Sequence, residues 1–205
     1  MSPRLIRVGL HLHSRYSPDS ITPLERIVAR AHELGLERIA LTDHDTAEGA
    51  LELKRMEPEL AIVGQETKTT EGEVIGLFID RSLEPYRPPE EVLDEIHALG
   101  GVTYLAHPLD RRRARFAPHR VAELAPRIDV IEVHNQWSDQ AANQAAAELA
   151  SELGIPGACG SDAHAPPELG HCWMEMEEFG DAAGFLASVR SARLVIAAPA
   201  ARARA

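Results

Sequence analysis

Residues 5–42, LIRVGLHLHSRYSPDSITPLERIVARAHELGLERIALT, carry a strand, a helix and a second strand in one pass. Residues 5–12 are apolar enough for a buried strand. Residues 23–34 place Leu24, Ile27, Val28, Ala31 and Leu34 at helical spacing, and Gly35 supplies the left-handed stop. A second apolar run, 38–42, follows at once. The rhythm recurs at 61–67, 74–79, 102–106, 130–133 and 155–160, with helical spacing over 89–99 before Gly100 and over 139–153 before Gly154. Only 74–79 departs from it, since it follows 61–67 across Thr70-Glu71-Gly72 as a hairpin would. Strand and helix in alternation predict an α/β fold.

With 205 residues and 44% hydrophobic content, the chain suits one domain with a sizeable core. Residues 1–197 are expected to form it, and 198–205, all small residues and arginine apart from one proline, a frayed tail. A net charge of −11 argues against stable duplex-DNA binding and against an anionic membrane surface. The N-terminus lacks the pattern of a signal peptide, and no run reaches the ~20 apolar residues of a membrane span, so a cytoplasmic protein is expected. Cys159 and Cys172 have no Cys-x-x-Cys spacing and read as small buried hydrophobes. Oligomeric state is not legible.

Chemistry-bearing residues gather where the runs end. His11 and His13 close the first, Asp43-His44-Asp45 the second, Glu66 the third, His107 the run at 102–106, Glu132 and His134 the next, and Asp162 and His164 the last. In parallel α/β architecture that edge is the functional one. Strand residues two apart share a side, so His11 with His13, and Asp162 with His164, can each aim at one point, and Glu132 and His134 are expected to share a face that could be the barrel interior. Imidazole with carboxylate is a ligand set for Zn, Mn or Fe, and the lack of thiolate argues against a purely structural zinc. A lone His-x-His is weak evidence. The joint pattern is strong, because burying these groups together without a cation would cost about several kcal/mol each.

At these residues the chain resembles the PHP family, the polymerase and histidinol phosphatase superfamily. HLHSRYSPDS, LTDHDT, GQET, AHP, IEVHN and GSDAH occur in the family's order through nearly the whole chain. The resemblance implies a distorted (β/α)7 barrel with two or three divalent ions at the C-terminal mouth of the strands, hydrolysing phosphate esters. Carried over, His11, His13, Glu66 and Asp162 would bind one ion, and Asp19, His44 and His164 another. Asp19 has a competing reading as a turn residue or helix N-cap before Pro23. Glu66 and His107 match a third site, where this chain offers Glu73 in place of a histidine, a harder ligand.

The expected function is phosphoesterase action on a small metabolite, a nucleotide or a short oligonucleotide. A hydroxide shared by metals about 3.5–4 Å apart would attack. Mn, Zn or Fe fit the donors better than Mg. Asp162 and His134 are the candidate catalytic residues; His134 either protonates the leaving alkoxide or is a satisfied core histidine. Arg15 and the loop arginines Arg111, Arg112, Arg113 and Arg115 are candidate substrate anchors, or else solvated. Asp43 and Asp45 are read as supports for ligands or bound water, His171 is ambiguous, and His32, His97 and His119 read as structural. Two alternatives stand: a metal-dependent hydrolase of carboxylic esters or amides, and a non-enzymatic domain of the same fold. No serine-nucleophile elbow or P-loop is present.

Overall fold

The first βαβ unit forms as β1 (Leu5–Leu12), α1 (Leu24–Glu33) and β2 (Arg38–Leu41) in the computed structural model, which describes residues 3–113 and 115–197. Then come α2 (Glu48–Met56), β3 (Ala61–Lys68), β4 (Glu73–Leu77), α3 (Pro89–Ala98), β5 (Val102–Leu105), α4 (Pro118–Leu124) and β6 (Val130–Asn135). α5 (Gln140–Leu153), β7 (Gly157–Gly160), β8 (Cys172–Glu177), α6 (Ala182–Val189) and β9 (Arg193–Ile196) complete the order. The stretch 198–205, expected as a tail, lies outside the described residues.

One sheet holds all nine strands in the order β7-β6-β5-β4-β3-β2-β1-β8-β9. Its two ends nearly meet. The first half of β1 pairs antiparallel with β8, Leu5 opposite Glu177 and Val8 opposite Met174. Its far end instead meets the chain leaving β7: Ser161 N donates to Leu10 O at 3.0 Å and His13 N to Ala163 O at 2.9 Å. The result is the distorted barrel that the resemblance implies, with β4 antiparallel to both β3 and β5. That inversion brings Glu73, the first residue of β4, opposite Lys68 at the end of β3.

Most of the strands are buried on both faces, which is why they read as continuous apolar runs. Ile39 and Leu41 pack outward with Leu24, Ile27 and Ala31 of α1. Ala40 faces the barrel interior with Ile6, Val8, Leu10, Ile62 and Met174. The helix ends follow their local chemistry. Asp139 caps α5 by accepting from Ala142 N at 2.8 Å, and Gly154 ends it with φ 67°.

Each of the seven expected runs is a strand: the first keeps its bounds and the other six have shifted ends. The run at 155–160 begins as a strand only at Gly157, because Pro156 has no N–H to give the ladder; its carbonyl serves Ile131 N instead. β8 and β9 were not among the runs. In β8 the buried Cys172, Met174 and Met176 alternate with more exposed Trp173, Glu175 and Glu177, so its signal is alternation, not an apolar block. The short α2, α4 and α6 likewise add to the predicted helices.

Candidate metal centre

Glu66 lies fully buried at the end of β3 and gathers four imidazoles. Its Oε2 is 3.2 Å from His11 Nε2, 3.3 Å from His13 Nε2 and 3.2 Å from His44 Nδ1, while Oε1 is 2.9 Å from His107 Nε2. Asp162 closes the group with Oδ1 at 3.2 Å from His13 Nε2 and 3.5 Å from His11 Nε2. Asp19 Oδ2 stands 3.2 Å from both His44 Nε2 and His164 Nε2. Glu73 is the outlier of the nine expected ligands, at 3.8 Å from His107 Nε2, yet its carboxylate still falls in one group with His44 and Glu66. The N-cap alternative for Asp19 falls away, because α1 is capped by Pro23 without a side-chain bond.

The backbone bends to bring these groups together. His11, His107 and Asp162 have φ of 60°, 25° and 47°, a region that costs non-glycine residues of order 1–3 kcal/mol each. At His11 this coincides with a register break between Gly9 and Leu12, so its imidazole and that of His13, one residue past β1, converge through a bulge and not by plain alternation.

Hydrogen bonds then decide which nitrogen of each ring faces inward. His11 Nδ1 meets Glu132 Oε1 at 2.8 Å and, against a carboxylate, carries the proton. Ser17 gives its one hydroxyl proton to Asp43 Oδ1 at 3.0 Å, so it accepts from His13 Nδ1 at 3.1 Å and from His44 N at 2.9 Å. His164 Nδ1 donates to Asp162 O at 2.9 Å. In the neutral form of all three rings the Nε2 lone pair points into the cluster, as a metal ligand requires. His13 Nε2 and Asp162 Oδ1 are buried, lie 3.2 Å apart and make no hydrogen bond. Lone pair facing lone pair at that separation is unfavourable unless a cation lies between. Ligands about 2.1 Å from one ion stand about 3.0–3.4 Å apart, so the residues fit a divalent metal.

Opposite charges packed together shift the titration of these groups. Burial disfavours a cation at His11, but Glu66, Glu132 and Asp162 around it raise its pKa well above the usual histidine range. Burial lowers the pKa of His13. Despite burial, His11 and its neighbours hold Glu66 and Asp162 well below the usual carboxylate range. Arg113 Nη2 lies 2.7 Å from Asp162 Oδ2, which Asn135 Nδ2 also approaches at 3.2 Å.

The other candidate anchors point elsewhere. Arg112 binds Asp110 and the Trp137 carbonyl, Arg15 leans over Tyr16 with Nη2 3.8 Å from Glu52, and Arg111 and Arg115 line a separate cleft of about 340 Å³ with Asp139. His134 shares no face with Glu132. The ladder to β7 slips between them, so Glu132 and Asn135 point inward and His134 turns toward Asn143, 3.4 Å away. His171 pairs with Gln136. Asp43 holds Ser14 and Ser17, and Asp45 receives Lys68 N at 2.8 Å, so both support the ligand-bearing turns. Ser17 and Trp137, in turns, and Asn135, the last residue of β6, join the site through contacts that no local pattern marks, since Ser17-Pro18-Asp19 does not announce an orienting hydroxyl.

The arginine loop has its own acid dependence. Although burial opposes it, hydrogen bonds from Arg112 and Ser138 hold the Asp110 carboxyl down to about 2, from 3.8. A depressed carboxylate contributes stability that is complete above about pH 4 and disappears as pH falls through about 2. Thermal melting between about pH 5 and 2 should therefore show a loss in the native protein that is smaller in Asp110→Asn; equal slopes would contradict the bond network.

Sequence comparison agrees with this geometry. The PHP domain matches residues 9–87 and the PHP-associated region residues 140–194. Two uncharacterized proteins of Methanocaldococcus jannaschii are similar: one is 35% identical over 116 residues, 50% of this chain and 68% of that protein. The other is 32% identical over 181 residues, 84% of this chain and 71% of that protein. A Bifidobacterium adolescentis protein provisionally assigned as a metal-dependent phosphoesterase shares the fold, at TM-score 0.66 and 16% identity over 80% of this chain and 90% of that one. An amidohydrolase from Chromobacterium violaceum, with bound sulfate and no metal, superposes at TM-score 0.66 and 18% identity with the same coverage. With both domain descriptions matched in order, and two relatives above 30% identity over two-thirds of their length, the chain belongs to the PHP family of metal-dependent hydrolases.

Proposed function

We propose that this hydrolase cleaves phosphate esters of a small metabolite, a nucleotide or a short oligonucleotide. The observation that carries the reading is Arg113, whose guanidinium reaches into the cluster to lie 2.7 Å from Asp162 Oδ2. A planar, permanently charged fork beside the ligand carboxylates suits the tetrahedral oxygens of a phosphoryl group, and a neutral carboxylic ester or amide has no use for it. The sulfate held by the Chromobacterium fold neighbour is an anion of the same shape.

His11, His13, Glu66 and Asp162 would hold one divalent ion, Asp19, His44 and His164 a second, and Glu66, His107 and Glu73 a third. Ions held there would supply Lewis acidity toward a phosphoryl oxygen and acidify the attacking water. The protein's own part is orientation. Glu132 fixes His11, Ser17 fixes His13, and Arg113 can leave Asp162 for the substrate once cations take over the charge balance. His134, turned toward Asn143, is assigned no step.

The test is phosphate release from phosphomonoesters, nucleotides and oligonucleotides, with carboxylic esters alongside, by protein loaded in turn with Mn, Zn, Fe or Mg. Release above an Asp162→Ala control is expected with at least one of the first three. Carboxylic-ester cleavage alone would refute the phosphate assignment.

Glu132 gives a graded prediction. Its carboxylate accepts from His11 Nδ1, Tyr104 Oη at 3.0 Å, His107 N at 2.7 Å and Asn135 Nδ2 at 3.1 Å. Glutamine would set an N–H₂ against at least one of these donors. Metal affinity of Glu132→Gln, measured by chelator competition, should fall about 10–100-fold, as is usual when a ligand's orienting partner is lost.

A further inference from the structure

Two large apolar side chains stand in water beside the cluster, each in a turn fastened to the segment Asp162–Ala163–His164. Trp137 is 46% exposed, and its Nε1 donates to Asp162 O at 3.0 Å while its own N–H bonds Asn135 Oδ1 at 2.9 Å. Ile21 is 93% exposed, between Ser20 and Thr22, whose hydroxyls donate to His164 O at 2.8 and 2.9 Å. Exposed apolar side chains are common singly. These two differ in that hydrogen bonds anchor both turns to the backbone of predicted ligands, so the rim position is built.

The indole spends its only polar group inward on Asp162 O, so its exposed part is apolar ring. We infer that Trp137, with Ile21, forms the rim that receives the flat part of the substrate, and that this part is a nucleobase. The inference rests on the phosphoesterase reading and narrows it to nucleoside phosphates or oligonucleotide ends. An indole face recognises planar, weakly polar rings by stacking and does so with little regard to base identity. A lipid chain would want a continuous apolar channel, and the flanking turns are polar: Ser138, Asp139, Ser20 and Thr22.

The chain has two tryptophans, Trp137 and the half-buried Trp173, so binding can be read without turnover. Adenosine should quench indole fluorescence in the native protein and in Trp173→Phe, and fail to do so in Trp137→Leu. In metal-loaded protein, the preference in kcat/KM for adenosine 5′-monophosphate over ribose 5-phosphate should drop at least tenfold in Trp137→Leu. Trp137→Phe, which keeps a ring but loses the N–H bond to Asp162, should retain most of that preference. The inference is overturned if adenosine quenches nothing, or if native protein prefers ribose 5-phosphate or treats both alike. It is also overturned if Trp137→Phe loses metal and preference as fully as the leucine variant, since the residue would then only position Asp162. Adenosine quenching in a protein that releases no phosphate would sink the phosphoesterase reading and leave the base-binding rim standing.

Discussion

Asp162→Asn is expected to lower kcat/KM by about 10³-fold or more, roughly 4 kcal/mol of transition-state stabilisation, while the fold survives. The carboxylate divides its two oxygens. Oδ2 takes Arg113 and Asn135, and Oδ1 faces the Nε2 atoms of His11 and His13 with no hydrogen bond. An amide cannot serve both sides. With its oxygen turned to the cluster, the N–H₂ confronts the donors of Arg113 and Asn135. Turned the other way, the N–H₂ donates to imidazole lone pairs and closes the space where an ion would sit. Either orientation removes the buried charge that Arg113 and His11 face, so the metal-free variant should melt lower than the metal-free native protein while still unfolding cooperatively. The ion-dependent part is what matters: the gain in melting temperature on adding metal and the activity are lost together in a variant that still folds. If Asp162→Asn still gains thermal stability on adding Mn or Zn to the same extent as the native protein, Asp162 is not a ligand.

That distinction bears on what could be read from residue order. The cluster was legible because imidazoles and carboxylates are costly to bury together without a cation and stood at the ends of apolar runs. His11, Glu66, His107 and Asp162 needed no knowledge of angles. Departures from regular geometry were not legible. Alternation placed Glu132 and His134 on one face, and a single slipped residue between β6 and β7 gave the inward place to Asn135. A bulge of that kind depends on how two strands and the helix beyond them settle, which no local pattern encodes. β8 was missed for the opposite reason: its alternation of Met174 and Met176 with Glu175 and Glu177 is a fair strand signal, but a one-faced strand is polar enough to resemble a loop. The arginine loop was legible only as charge. That Arg113 turns in while Arg112 binds Asp110 is decided by the positions of Asp110, Ser138 and Trp137, brought together from separate turns.

Gly160→Ala should be the most damaging small change in the barrel. Gly160 ends β7, and a methyl group built on it would lie 1.8 Å from Glu132 Oε1 and 2.8 Å from His11 Cβ. Neither neighbour is the free end of a surface chain. Glu132 is held by His11, Tyr104, His107 and Asn135, and His11 is fixed in a backbone conformation it already adopts at some cost. The carboxylate must therefore leave its donors or the strand must move, and both leave buried polar groups without partners. The expected loss is about 3–5 kcal/mol of unfolding free energy, measured by urea denaturation of metal-free protein. Metal affinity should fall with it by at least the roughly 10–100-fold expected of Glu132→Gln, because His11 loses the same partner that keeps its proton on Nδ1. Stability and metal affinity thus fall together here, through one collision between the end of β7 and Glu132. Adding Glu132→Ala to Gly160→Ala relieves the collision, so stability should recover by about 1 kcal/mol or more over the single variant, while metal affinity should not. A Gly160→Ala protein that unfolds at the native urea concentration and binds metal normally would mean that the carboxylate does not occupy the space above this glycine.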